Sequence, residues 1–278
     1  MIIWLASYPK SGNTLLRSIF ANYFYTNGES FDFSNLNFID QFPSIKHFSA
    51  FSYDKSNDNV FYNYYIEAQK KINFDTKGLK FLKTHSCLHK VGKSNFTDFK
   101  NSLAAIYIVR DPRNVATSFA NHYSVSVEEA AELMTNKTYY LEETELMHRT
   151  FLSSWEVNYN SWKQFNKKLL VIKYEDLTKK KKTTLIRIFK FLNSLSPGNF
   201  EIDMIKLNKV IKNTEFEKLK KLEQKNNFLE APLNFKTNKK KIFFYLGPKN
   251  DWQKILDPKI KDKIENSFKK EMIELGYL

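Results

Sequence analysis

Lys10, Ser11, Gly12, Asn13 and Thr14 set a cation, three side-chain donors and a glycine in one short run. At the start of a helix, such a run offers unpaired backbone N–H groups and the positive end of the dipole to an anion. Gly12 lets the backbone approach a phosphate closely. Lys10 precedes the glycine, whereas ATP-type phosphate loops place Gly-Lys before Ser/Thr. Seen alone, the run is equally compatible with an ordinary surface turn. Lys83-Thr84-His85 carries an imidazole, whose ordinary pKa of about 6.5 leaves it largely neutral near pH 7 and able to take a hydroxyl proton. Arg110 offers a planar donor fork suited to a phosphate, and Ser118 follows eight positions later. Tyr174-Glu175-Asp176-Leu177 brings two carboxylates, for which a Mg²⁺ reading is open.

Elements must place these groups together. Residues 2–6 form a short apolar run, read as a buried strand. Leu15, Leu16, Ile19, Phe20, Tyr23 and Phe24 recur at helical spacing, and Asn27-Gly28 ends the run. Further strands are expected at 79–84, 103–109 and 169–172, the third of the four being the clearest. Asp111 reads as an N-cap with Pro112 at the first helical position, and that helix should run to about Tyr123. Arg113 is expected to face solvent. Helices are also expected around 60–71 and 126–136, and another is marked by Phe151, Trp155, Tyr159 and Trp162. Another, through Leu185 to Leu192, stops before Ser196-Pro197-Gly198, and one C-terminal helix carries Ile260, Ile264, Phe268 and Met272. Alternating strands and helices predict an α/β fold, one domain over residues 1–278 with a central parallel sheet flanked by helices. Ligands bind at the carboxyl ends of such strands, and all four chemical groups fall just after strands. The Lys runs at 179–182 and 239–241 read as solvated surface.

The order of these segments resembles the PAPS-dependent sulfotransferases of the soluble type, where PAPS is 3′-phosphoadenosine 5′-phosphosulfate. Tyr8-Pro9-Lys10-Ser11-Gly12-Asn13-Thr14-Leu15 is similar to that family's 5′-phosphosulfate loop, with Asn13 and Leu15 replacing the usual Thr and Trp. The resemblance implies a P-loop-like nucleotide-binding fold and PAPS as donor, leaving as adenosine 3′,5′-bisphosphate (PAP). It implies His85 as general base, with Lys10 and Lys83 as its catalytic partners. Donor contacts are implied for Lys10, Ser11, Gly12, Asn13, Thr14, Leu15, Arg110, Ser118 and Tyr174. Thr214-Glu215-Phe216 resembles an adenine-binding Thr-x-Phe. Gly247-Pro248-Lys249-Asn250-Asp251-Trp252 resembles the C-terminal phosphate segment, with Tyr245 and Leu246 where Arg and Lys are usual, and Lys249 a substitute charge. Under this reading the carboxylates of 174–177 hold the scaffold and no metal is needed. Residues 29–78 and 124–150 are read as insertions forming the acceptor side or a lid.

A net charge of +14 favours anionic partners. It leaves two rivals, a Mg²⁺-dependent P-loop-like kinase and a nucleic-acid-binding protein. No nucleic-acid motif and no single basic patch supports the second. The lone Cys87 forms no internal disulfide, and no run reaches the about 18–20 apolar residues of a membrane span, which together suit a cytoplasmic protein without membrane contact. The expected acceptor is a small molecule or glycan. The oligomeric state stays open.

Overall fold

The computed structural model describes residues 1–53, 60–76, 78–195, 201–226, 228–234 and 239–278. Four parallel strands form the central sheet: β1 (Ile2–Ser7), β2 (Lys80–Thr84), β3 (Ser102–Val109) and β4 (Leu169–Lys173), in the order β2-β1-β3-β4. Along β1, Ile2, Trp4 and Ala6 point into one core while Ile3 and Leu5 point into another. Both faces of the sheet are therefore covered, as a parallel sheet requires.

Helices α1 (Asn13–Phe24), α7 (Lys181–Leu195) and α8 (Met204–Asn213) cover the Ile3 face with Leu16, Phe20, Ile188, Phe189 and Leu207. The Trp4 face is covered by α2 (Tyr65–Asp75), α3 (Pro112–Tyr123), α4 (Val127–Thr135) and α5 (Trp155–Trp162). It is completed by α11 (Pro258–Ser267) and α12 (Lys269–Glu274). Two short helices, α6 (Tyr174–Lys179) and α10 (Trp252–Ile255), and the amphipathic α9 (Phe216–Lys225) lie at the carboxyl edge. The expected single C-terminal helix is two, broken at Phe268, whose ring is fully buried against Trp155. The stop signal Ser196-Pro197-Gly198 lies outside the described residues, as does part of the 29–78 insertion. No described helix is long and apolar enough to cross a membrane.

Asp111 caps α3 by accepting from the Arg113 backbone N–H, with Pro112 at the first turn. Arg113 does not face solvent. Its guanidinium donates to both Asp111 oxygens at 2.9 and 2.7 Å, to Glu265 at 2.6 Å and to the Tyr277 carbonyl at 2.9 Å, and it lies 3.8 Å over the Trp252 ring. The cap turns the side chain back onto Asp111, so it packs beneath α11 and the C-terminus. A lysine cannot span these partners. Arg113→Lys should lower unfolding free energy by about 1.5–3 kcal/mol, read as a shifted urea midpoint at constant slope.

Candidate active site

The phosphate-type loop leaves β1 at Ser7 and enters α1 through Gly12, whose φ of 100° is left-handed. A Cβ on Gly12 would sit 2.4 Å from the Tyr174 ring, so glycine is needed for packing as well as for backbone conformation. Tyr174 starts α6 beyond β4, and the Arg110 guanidinium lies 4.4 Å from its ring. Arg110 also donates to the carbonyls of Lys10 (3.0 Å) and Gly247 (3.3 Å). It thereby ties the first loop to the C-terminal one.

One cavity of about 1120 Å³ opens at the carboxyl ends of the strands. Of the residues expected from sequence, Lys10, Gly12, Asn13, Thr14, Leu15, Lys83, His85, Arg110, Ser118, Tyr174, Phe216 and Gly247 line it. Three do not. Ser11 is fully buried, and its hydroxyl has no partner among the described residues. The Thr214 hydroxyl donates to the Val210 carbonyl at the end of α8, and its own carbonyl takes Lys181. Lys249 faces away, near Glu217 on the exposed surface.

Asn13 lines the cavity, but its amide N–H groups are engaged elsewhere. They donate back to the Leu5 carbonyl (2.8 Å) and the Ser7 hydroxyl (3.1 Å), fastening the loop to β1. Gly247, at φ 53°, would place a Cβ 2.1 Å from the Phe216 ring, so that ring packs directly against the C-terminal loop. Asn250 is buried and joins this loop to α3 through Asn114 and Thr117. The Lys runs are not merely solvated. Lys240 lines the cavity, Lys241 donates to the Asn121 carbonyl and Lys181 to that of Thr214.

His85 follows β2. Its Nδ1 lies 2.8 Å from the Ser7 carbonyl, which can only accept, so Nδ1 carries the proton and Nε2 keeps its lone pair. Burial, with Lys83 and Lys10 adding repulsion, pushes the His85 pKa down to about 3. Asn158 donates to the His85 carbonyl (3.0 Å) and holds the backbone there. Burial likewise lowers Lys10 to about 7, helped by Arg110 and Lys83.

Several site residues carried no sequence signal. Glu230 pairs with Arg17 of α1, accepts from Gln41 (3.0 Å) and lies 3.5 Å from Lys83 Nζ. Its carboxyl falls to about 2 because Lys83 and Arg17 outweigh its burial. Lys83 is thus a paired cation rather than a free one. His122, one helical turn after Ser118, also lines the cavity. Away from the loops, the wall is formed by Phe42, Tyr123, Tyr139, Tyr140, Leu146 and Met147.

The chain resembles several solved structures. A mouse sulfotransferase, SULT7A1, complexed with PAP is 20% identical, with 98% of this chain and 84% of that chain covered at a TM-score of 0.62. Retinol dehydratase in complex with androsterone and inactive cofactor PAP is 17% identical, covering 98% and 80%, at 0.61. The same enzyme with retinol and PAP is 16% identical, covering 98% and 81%, also at 0.61. At these identities the likeness shows the fold. The model of the sulfotransferase domain, by contrast, matches residues 2–276, and the chain therefore belongs to the sulfotransferase domain family.

Proposed function

We propose that this protein transfers a sulfuryl group from PAPS to a hydroxyl or amine of a small-molecule or glycan acceptor, without a metal ion. The observation that carries this reading is the convergence of Lys10, Lys83, His85, Arg110 and Ser118 on one cavity at the carboxyl ends of a parallel sheet. The PAP complexes of its structural neighbours support the donor, and those holding androsterone and retinol support a small-molecule acceptor.

The acceptor oxygen attacks sulfur as the bridging S–O bond to the 5′-phosphate breaks, and that bond's electron pair leaves on PAP. His85 Nε2 takes the acceptor proton. Lys10 and the amides of the Gly12–Leu15 turn meet the leaving phosphate. Lys83 faces the sulfuryl oxygens, and Arg110 with Ser118 holds the 3′-phosphate. Tyr174 and Phe216 bound the adenine. Catalysis is mainly alignment and preorganised charge. Gln41 and Phe42 from 29–78, and Tyr139 to His148 from 124–150, line the acceptor side. A Mg²⁺-dependent kinase would need a free carboxylate beside the phosphates. The Asp111 carboxylate is held by Arg113, and Glu175 accepts from the Asp111 N–H and the Tyr277 hydroxyl. The buried, unpaired Cys87 thiol fits a cytoplasmic enzyme.

Calorimetric titration with PAP against AMP tests the donor. PAP should bind about ten- to hundredfold more tightly, through charge-assisted bonds to the 3′-phosphate. Equal affinities would remove the assignment of Arg110 and Ser118. A second result follows from Lys10. Its pKa of about 7 in the free protein must rise when a phosphate arrives, so binding takes up protons above pH 7. PAP affinity should therefore fall as pH climbs from 7, by up to about one decade per unit. Titrations in two buffers of different ionisation enthalpy read the proton count directly.

A further inference from the structure

The cavity holds a second imidazole that the reaction as described does not use. His122 stands four residues beyond Ser118 on α3, so the two share a face of that helix. Its Nδ1 lies 3.3 Å from Lys10 Nζ. Lys10 has no carboxylate within ion-pair distance among the described residues, and its other close neighbour is the Phe243 ring at 3.8 Å. The His122 ring is fixed edge-on to Tyr123 and to Phe243, with interplanar angles of 87° and 86°. An ammonium can only donate, so Nδ1 accepts and the ring proton sits on Nε2. No described residue bonds that Nε2.

We propose that His122 is a positioning residue that aims the Lys10 ammonium into the anion site through its Nδ1. This rests on the reading of Lys10 as the cation that meets the donor's 5′-phosphate. A neutral imidazole suits the task. It fixes the direction of one N–H bond and adds no negative charge where a polyanion must enter. A carboxylate in its place would hold Lys10 in an ion pair and repel the donor. Burial and the nearby Lys10 and Lys83 keep His122 neutral, well below the usual histidine range. The α3 helix begins just after Arg110 and also carries Ser118. One rigid element thus sets both the 3′-phosphate grip and the direction of Lys10.

The test measures PAP affinity across pH 6 to 9 for the wild type, His122→Phe and His122→Asn, with melting temperatures alongside. PAP is the probe because no acceptor is required. His122→Phe keeps a ring between Tyr123 and Phe243 but removes the acceptor atom. It should weaken PAP about tenfold at pH 7.5. The fall of affinity with pH should also begin at lower pH, since the ammonium has lost its hydrogen-bond acceptor. His122→Asn, whose Oδ1 can occupy the place of Nδ1, should recover most of the affinity and the wild-type pH onset. Unchanged affinity in His122→Phe at every pH would overturn the proposal. Equal, pH-independent weakening in both variants would do the same, because shape alone would then account for the loss. Failure of the donor reading looks different: the wild type itself would bind PAP no better than AMP.

Discussion

His85→Asn should lower turnover of PAPS with a hydroxyl acceptor by about two to four orders of magnitude, with PAP affinity little changed. The reason lies in the two ring nitrogens. Nδ1 donates to the Ser7 carbonyl at 2.8 Å, a contact that an asparagine amide can reproduce. Nε2 has no counterpart in asparagine, so the variant keeps the scaffold and loses the base. The pH profile gives a second reading. With its pKa pushed down to about 3 by burial, Lys83 and Lys10, His85 stays unprotonated in the free enzyme throughout the neutral range. The kcat/KM for donor should therefore show no acid limb near the ordinary histidine value. It should fall instead on the alkaline side, above about 7, as Lys10 loses its proton. Near-normal turnover by His85→Asn would sink the assignment of the base.

Arg110→Met should weaken PAP by about 2–5 kcal/mol, which is roughly 30- to 5,000-fold, and AMP by less. Arg110 is buried, with 5% relative exposure, and its guanidinium reaches two loops at once, through the carbonyls of Lys10 and Gly247. Its Nε is buried with no partner among the described residues, a donor left over beside the cavity. Methionine keeps an apolar stem but removes the guanidinium from over Tyr174 and both of its bonds to the loop carbonyls, leaving that of Gly247 only the Asn250 N–H. Lysine is a poor rescue, since one ammonium cannot span both loops. Calorimetry with both nucleotides separates the roles. If PAP and AMP weaken equally, Arg110 only braces the loops and does not read the 3′-phosphate.

These effects differ in how far ahead they could be read. The four strands were legible because short apolar runs bounded by turn residues leave few alternatives. Their ends were misplaced by a residue at most, as with 79–84 against Lys80–Thr84. The α3 start was legible because Asp111 and Pro112 are a cap and a first-turn residue by their own chemistry. Arg113 was misread for the same local reason. Two positions into a helix a charged residue usually meets water, and only the packing of α11 and the C-terminus over it says otherwise. Thr214 sits where the family motif places it, yet its hydroxyl closes the end of α8.

By itself, the sequence determined which groups gather at the carboxyl ends of the strands. A strand, a turn and a helix start are each set within a few residues, and their order puts every polar loop on one edge of the sheet. Only the tertiary structure decided what those groups do to one another. Lys10 meets His122 across 112 positions, Lys83 meets Glu230 across 147, and Arg17 meets Glu230 across 213. No periodicity or spacing encodes such pairs. They form where the strand order β2-β1-β3-β4 brings the loops together and burial removes the water that would otherwise separate their charges. The lowered pKa values of Lys10 and His85 arise there too, because desolvation is their largest cause and it exists only once the chain has folded.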